Sequence, residues 1–268
     1  MKKKILLIGY GKWGKKIFLK LKKFQKFEII VYTKKTEHKK KKFFLLKSIK
    51  LINVKDFYAI VCATNVKLHE KIIEFAAKKK IPLFVEKPIT TNDNFFNKIK
   101  SIKNKKIIWV NYIYSKYLDK IKINQKKLKK IILIFGSTGK NKSFFWNKWE
   151  WLPHLFSIII KILNTSKTVK ILSIRNKFNN FSITLKWAST RIYIHYGDNF
   201  LKKTRLIKLI YKNNIKIINF NIKNIRLYKT QHDPLEWSLL SFFRKINSNY
   251  DYDINISKII TGLINKLN

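Results

Sequence analysis

The chain has 268 residues, of which 46% are hydrophobic and 15% are aromatic. This content excludes a disordered chain, and the length suffices for one large or two modest folded domains. A single cysteine, Cys62, excludes an internal disulfide bond and a cysteine-based zinc site, and it predicts a protein of the reducing cytoplasm.

The formal net charge is +46, from 60 Lys and Arg residues against 14 Asp and Glu residues. A charge of this size is typical of proteins that bind nucleic acids or anionic membranes. However, only five of the 60 basic residues are arginine, which nucleic-acid readers prefer, and amino acids with AT-rich codons are abundant. We therefore attribute the charge to codon bias and predict no specific nucleic-acid partner, with a polyanion-binding surface as the alternative.

The apolar segments are too short to cross a membrane. The run 5–8 is cut short by Gly9 and Lys12, and lysine interrupts the later apolar runs within a few residues. We predict no secretory segment and no membrane insertion.

The first 112 residues alternate between strand and helix patterns. Short apolar runs typical of strands occur at 4–8, 27–32, 56–63, 82–85 and 107–110, and helical spacing of apolar residues follows Gly14 and recurs at 68–79 and 94–102. Strands that alternate with helices form βαβ units around a parallel sheet. Residues 1–112 are therefore predicted to be an α/β domain of the Rossmann type.

The pattern changes after Tyr112. A strand is predicted at 129–135, a helix at 151–163, and half-buried strands with alternating apolar and polar residues at 183–187, 191–196, 206–211 and 215–220. Two helices, at 235–247 and 254–268, complete the pattern. Residues 113–268 are therefore predicted to be an α+β domain with an open, mostly antiparallel sheet, whose C-terminal helices are able to pack back on the first domain.

Three of the seven glycines form a Gly-x-Gly-x-x-Gly motif at Gly9, Gly11 and Gly14, between a predicted strand and a predicted helix. In dinucleotide-binding folds the first glycine makes a tight turn, the second admits the pyrophosphate, and the third lets the helix contact the strand. The pyrophosphate then lies at the helix N-terminus. We predict a dinucleotide site here, which includes Lys12 and Trp13 within the motif.

The end of the second strand bears on the choice of cofactor. Folds that prefer NAD place Asp or Glu about 20 residues past the glycines, where it binds the ribose hydroxyls. Here the strand ends in Thr33, Lys34 and Lys35, a hydroxyl and two cations. We predict that Thr33 and Lys34 contact a ribose 2′-phosphate and that NADP(H) is favoured over NAD(H). The alternative is that these lysines only reflect the composition.

A further set of residues resembles the Gfo/Idh/MocA oxidoreductases. The family's strand end Ala-Thr-Pro and helix-borne histidine correspond to Ala63, Thr64 and His69, with Asn65 in place of the proline, and its Glu-Lys-Pro is intact at Glu86, Lys87 and Pro88. The resemblance implies a two-domain NAD(P)-dependent oxidoreductase. It also implies cofactor contacts from Ala63, Thr64, Asn65, His69, Glu86 and Lys87.

In that family a helix of the second domain carries Asp-x-x-x-His facing the nicotinamide. Glu150 and His154 match this spacing, with Glu150 in place of the aspartate. The spacing places both side chains on one helix face if the helix begins early enough, whereas Pro153 as a first-turn residue would prevent it. The neighbouring Trp146, Trp149 and Trp151 are equally consistent with stacking on a sugar and with core packing.

The resemblance implies hydride transfer between the nicotinamide and a carbinol or carbonyl carbon of a sugar, a sugar nucleotide or a related polyol. His154 is the candidate acid/base because histidine titrates near neutrality, and Lys87 would hold the substrate oxygen and stabilise alkoxide charge. Glu150 would orient His154 or bind a substrate hydroxyl. The site is expected in a cleft between the domains, and a homo-oligomer through the C-terminal sheet is a further expectation.

Each assignment has a structural alternative. Lys87 and Glu150 are also consistent with solvated surface charges, and His154 with a structural histidine. For the whole protein the alternatives are a non-catalytic NAD(P)-binding sensor of the same fold and a polyanion-binding protein.

Overall fold

The structure, a computed structural model, describes residues 2–33, 43–45, 52–100, 108–139, 144–164, 169–221, 233–246 and 252–267. The chain divides into two units: Met1–Ile113 with Pro234–Leu267, and Tyr114–Asp233. Each unit has its own sheet, and each is described by itself below.

The sheet of the first unit is parallel. Its described strands are β1 (Lys3–Ile8), β2 (Phe27–Thr33), β3 (Phe43–Leu45), β4 (Phe57–Cys62), β5 (Leu83–Val85) and β6 (Ile108–Val110), in the order β3-β2-β1-β4-β5-β6. This is the strand order of a dinucleotide-binding fold, in which the direction of winding reverses beside β1. The predicted α/β fold is therefore confirmed, and β3 is a strand that the sequence patterns did not predict.

The helices α1 (Lys12–Lys22) and α2 (Val66–Lys78) pack on this sheet, and α3 (Asn94–Lys100) packs against α2. The buried face of α1 carries Ile17 and Leu21, and that of α2 carries Ile72, Ile73 and Ala76. The apolar spacing that predicted these helices therefore corresponds to the faces they bury.

The second unit contains a mostly antiparallel sheet, as predicted. Its described strands are β7 (Leu128–Gly136), β8 (Val169–Lys177), β9 (Asn180–Trp187), β10 (Thr190–Gly197), β11 (Thr204–Tyr211) and β12 (Ile215–Asn219), in the order β12-β11-β7-β10-β9-β8. Only the β7–β10 pair is parallel among these described strands. Alternate residues such as Leu133, Ile194 and Ile207 are fully buried, so one face of the sheet forms the core.

Two helices accompany this sheet: the short α4 (Ile113–Tyr117) and the long α5 (Phe144–Leu163). The predicted start of α5 at residue 151 is wrong, because the helix begins seven residues earlier and contains Pro153. Proline inside a helix removes one backbone hydrogen bond. Leu152 and Leu155, on either side of it, are fully buried, so packing of the apolar face stabilises the helix across the proline.

The C-terminal helices α6 (Pro234–Lys245) and α7 (Tyr252–Asn265) belong to the first unit. On α6, Glu236 accepts hydrogen bonds from Lys20 at 3.2 Å and Lys23 at 3.4 Å, both near the end of α1. On α7, the buried Asp253 Oδ2 accepts from the backbone N–H of Val110 at 2.8 Å. This contact satisfies a donor on β6, the edge strand of the sheet.

None of the helices in the described ranges has the length and apolar character needed to cross a bilayer.

Replacing Asp253 tests how the edge strand is stabilised. Asp253→Ala leaves the buried Val110 N–H without its acceptor, so we expect the free energy of unfolding to fall by about 1–3 kcal/mol. Asp253→Asn retains an oxygen acceptor, so we expect a smaller loss. Urea denaturation followed by tryptophan fluorescence measures both variants, and an alanine variant no less stable than the asparagine variant would contradict this role.

Candidate cofactor and active site

The glycine motif forms the turn between β1 and α1. Gly9 has a φ of +95°, which favours glycine, and a Cβ there would lie 2.6 Å from the carbonyl oxygen of Ala63. A Cβ on Gly14 would lie 2.2 Å from the carbonyl oxygen of Gly9, so only glycine lets α1 approach the turn. A Cβ on Gly11 would meet nothing within 4 Å. The second glycine therefore borders open space, as the predicted approach of a pyrophosphate requires.

The N-terminus of α1 suits an anion. Its first turn has no acidic residue, and the exposed Lys12 is its first residue. Trp13 is 39% exposed, with Lys16 Nζ 4.7 Å from its ring centroid. Because the backbone N–H groups of a helix N-terminus carry partial positive charge, these residues fit a dinucleotide pyrophosphate.

At the end of β2 the structure describes only part of the predicted ribose site. Thr33 is its last residue and is buried, 5% exposed. Lys34 and Lys35 lie outside the described residues. The preference for NADP(H) therefore stays a prediction.

The turn after β4 contains Ala63, Thr64 and Asn65, and His69 lies on the first turns of α2. Both ring nitrogens of His69 contact backbone oxygens: Nδ1 lies 2.8 Å from Pro88 O, and Nε2 lies 3.1 Å from Thr64 O. The ring thus connects the β4 turn to the segment after β5. Burial lowers the pKa of His69, although the Pro88 carbonyl, the Glu86 carboxylate and the Thr64 carbonyl partly offset this effect.

Glu86 and Lys87 follow β5. The buried Glu86 accepts a hydrogen bond from Asn111 Nδ2 at 2.7 Å, and burial raises the pKa of its carboxyl, while this hydrogen bond and the charge of Lys87 lower it in part. Lys87 itself is half-buried, and the Lys87–Pro88 peptide is cis. Asn111 fixes the residue next to Lys87, and thereby contributes to the position of the lysine.

In the second unit, Glu150 and His154 lie four residues apart within α5, so they occupy adjacent turns of one helix. His154 is buried, and its ring meets the ring of Tyr114 edge-on with centroids 5.1 Å apart. Glu150 is half-buried. Trp149 and Trp151 are 2% and 4% exposed, so both belong to the interior of the unit, while the side chain of Trp146 lies outside the described residues.

Sequence reasoning missed one residue beside the candidate residues of each unit. Asn111 follows β6 at the same sheet edge as the glycine turn, and the rule that ligands bind beyond the carboxyl ends of parallel strands would have indicated it. Arg205 is buried on β11 and donates from Nε to Tyr114 Oη at 3.2 Å, beside His154. No local pattern distinguished Arg205 from the other basic residues of the strands.

Within the described ranges, no three or more His, Cys, Asp and Glu side chains gather as metal ligands would. The site in the first unit instead consists of a glycine turn, a helix N-terminus and the segments that follow β4, β5 and β6.

Comparison with known proteins agrees with this description. Residues 3–114 match the sequence model of the Gfo/Idh/MocA family, described as an oxidoreductase family with an NAD-binding Rossmann fold. The sequence of residues 3–114 is therefore similar to that of this oxidoreductase family. No protein of the curated set matches the chain in sequence.

Several solved structures resemble the fold over almost the whole chain. A putative oxidoreductase from Magnetospirillum magnetotacticum MS-1 has a TM-score of 0.80 at 13% identity, over 99% of this chain and 99% of that one. A myo-inositol dehydrogenase from Corynebacterium glutamicum has a TM-score of 0.77 at 13% identity, over 99% and 95% of the two chains. A UDP-N-acetylglucosamine 3-dehydrogenase from Acidithiobacillus ferrooxidans has a TM-score of 0.79 at 10% identity, over 99% and 96%. At these identities the likeness shows a shared fold.

The environment of His69 predicts a pH dependence of stability. Its folded-state pKa lies below the ordinary value of 6.5, so the proton binds more tightly to the unfolded chain. The stability that His69 contributes is therefore fully present above pH 6.5 and is lost as the pH falls through 6.5 toward the folded-state pKa.

Urea denaturation of the wild type and His69→Gln at several pH values between about 5 and 8 measures this contribution. We expect the wild type to lose more stability on acidification than the variant does. An NMR titration of the His69 ring gives an independent check, and a pKa above 6.5 would contradict the sign.

Proposed function

We propose that the protein is an NADP(H)-dependent oxidoreductase that transfers hydride between the nicotinamide and a carbinol or carbonyl carbon of a sugar, a sugar nucleotide or a related polyol. The observation that supports this most is the glycine turn, where Gly9 and Gly14 allow close packing and Gly11 faces open space. The family match over residues 3–114 and the sugar-linked names of two structural neighbours support the same reaction class.

When bound, the cofactor supplies or accepts the hydride, and the chain has to bind it and handle the hydroxyl proton. In the proposal, the turn residues and the N-terminus of α1 bind the pyrophosphate, and the segments at Ala63–Asn65 and Glu86–Lys87 bind the nicotinamide half. Thr33 and Lys34 would bind a ribose 2′-phosphate, since a hydroxyl and a cation stand where NAD-specific folds have a carboxylate.

Lys87 is proposed to hold the reacting oxygen of the substrate. Its ammonium group would stabilise negative charge as an alkoxide forms, and its half-buried position strengthens this interaction compared with water. The hydrogen bond between Asn111 and the adjacent Glu86 limits the movement of the segment that carries it.

His154 is proposed to take or give the hydroxyl proton. Its ring is held edge-on by Tyr114, which would keep the imidazole in one orientation during proton transfer. Glu150, one turn earlier on α5, is proposed to orient His154 or to bind a substrate hydroxyl.

A fluorescence titration with NADPH and NADH tests the cofactor assignment. We expect saturable binding, tighter for NADPH, and its loss in Gly11→Trp, whose indole would fill the space of the pyrophosphate. Nothing lies within 4 Å of a Cβ on Gly11, so the variant is expected to fold.

Leu19→Trp is the matched control, because it adds the same side chain at a 63% exposed position of the same helix. We expect it to bind as the wild type does. Absence of binding of either cofactor by the wild type would overturn the proposed function, and tighter binding of NADH would overturn the preference for NADP(H).

Replacement of Lys87 tests the chemical step. In a screen of sugars and polyols that includes myo-inositol and UDP-N-acetylglucosamine, we expect Lys87→Met to lower kcat by about 10²–10³-fold, the usual effect of removing one oxyanion donor. Lys78→Met, at the exposed far end of α2, controls for the loss of a charge. Equal turnover in Lys87→Met and the wild type would exclude the proposed role.

A further inference from the structure

Arg205 is a buried cation whose partners are neutral. It is 7% exposed, and its guanidinium carbon lies 4.2 Å from the ring centroid of Trp151. Nε donates to Tyr114 Oη, while Nη1 donates to the carbonyl oxygens of Gly136 and Thr204. These contacts fix the plane of the guanidinium and leave Nη2 without a protein acceptor among the described residues.

No carboxylate in the described ranges lies within 4.0 Å of this guanidinium. A buried charge without a counter-charge is destabilising, so its presence calls for an explanation. Composition does not supply one, because only five of the 60 basic residues are arginine and composition alone would favour lysine at this position. A planar fork with several fixed donors is what distinguishes arginine from lysine in the binding of carboxylates and phosphates.

The indole under this guanidinium has an unused donor. Trp151 is 4% exposed, and its Nε1–H has no acceptor among the described residues. Buried tryptophans usually place this group on a hydrogen-bond partner. An anionic oxygen between Nη2 of Arg205 and Nε1 of Trp151 would satisfy both.

Two buried acceptors are also unsatisfied at this end of the second sheet. Gly136 of β7 pairs with Gly197, which directly precedes Asp198, whereas Arg205 pairs with Phe135, so Asp198 and Arg205 lie on either side of the Gly136 row. Asp198 is 2% exposed; its Oδ1 accepts from Ser137 Oγ at 2.8 Å, and its Oδ2 has no partner among the described residues.

Asn147, on the first turn of α5, adds the second acceptor. It is fully buried, and its Nδ2 donates to Asn179 O at 3.4 Å, while its Oδ1 has no partner in the described ranges. Asn147 and Trp151 are four residues apart, so they lie on the same face of α5. Oxygen acceptors of this kind suit the hydroxyl donors of a sugar or polyol.

We propose that Arg205, Trp151, Asp198 and Asn147, here called the strand-end cluster, bind a polyhydroxylated ligand that carries a carboxylate or a phosphate. The anionic group lies against Arg205 and Trp151, and hydroxyl groups donate to Asp198 and Asn147. Tyr114 contacts both Arg205 and His154, which places the anionic group beside the proposed acid/base. The identification of this ligand as the substrate, a sugar acid or sugar phosphate, rests on the proposed function.

NMR of the ¹⁵N-labelled protein without cofactor tests the cluster. The indole signal of Trp151, assigned with Trp151→Phe, is followed during titration with gluconate, glucose 6-phosphate and glucose at constant ionic strength. We expect gluconate or glucose 6-phosphate to shift this signal saturably and glucose to leave it in place. A response to gluconate alone assigns a carboxylate, and a response to glucose 6-phosphate alone assigns a phosphate.

Two variants that keep the net charge distinguish binding by the planar guanidinium of Arg205 from a general attraction of anions to a basic protein. Arg205→Lys keeps the cation but loses the planar donors, and we expect it to weaken binding of the responding anion at least tenfold. Arg191→Lys, exposed on the neighbouring β10, is the matched control and is expected to bind as the wild type does. The amide spectrum of each variant reports whether it is folded.

Several results would overturn the proposal: no saturable shift with either anion up to about 10 mM, an equal response to glucose, or undiminished binding by folded Arg205→Lys. If Arg205→Lys does not fold, the proposal is tested by the wild type alone, in which the response to gluconate or glucose 6-phosphate is compared with the response to glucose. Because the titration contains no cofactor, anion binding in a protein that fails to bind NADPH would refute hydride transfer and leave the strand-end cluster standing.

Discussion

Four backbone hydrogen bonds between the ends of five adjacent strands hold the candidate cofactor site together. Beyond the last residues of the strands, Gly9 N–H donates to Tyr32 O, Ala63 N–H to Ile8 O, Glu86 N–H to Cys62 O and Asn111 N–H to Val85 O, at 2.8–3.0 Å. Parallel pairing requires that these strands end at the same edge. Residues as far apart in the chain as Gly9 and Asn111 therefore lie along the same sheet edge, and the turns that follow the strands form one surface.

The same edge shows how buried polar groups limit the conformations of a site. His69 contacts the carbonyls of Thr64 and Pro88, and Glu86 accepts from Asn111, so each turn is tied to the next by a side chain. Leaving any of these groups without its partner is unfavourable in a buried position. The segment that carries Lys87 is thereby restricted in position by His69, Glu86 and Asn111.

The second unit has several buried polar side chains near one end of its sheet. Arg205 stacks on Trp151, yet the guanidinium, the indole N–H, Asp198 and Asn147 all keep hydrogen-bonding capacity that the described residues do not use. Native interiors rarely leave such groups unsatisfied. Lys116, Lys148 and Arg205 are all buried basic residues in the described ranges, and the contacts of Arg205 rather than its charge support the role proposed for it.

The sequence by itself determined the features that depend on near neighbours. The glycine turn, the periodicity of α1 and α2, the alternation of the second sheet and the Glu86–Lys87–Pro88 segment could be predicted because each is set by residues a few positions apart. Only the tertiary structure decided the contacts between distant residues: Asn111 with Glu86, Asp253 with β6, and Arg205 with Trp151 and Tyr114. It also decided that α5 continues through Pro153, since long-range burial of its apolar face outweighs the local helix-breaking preference that the sequence displays.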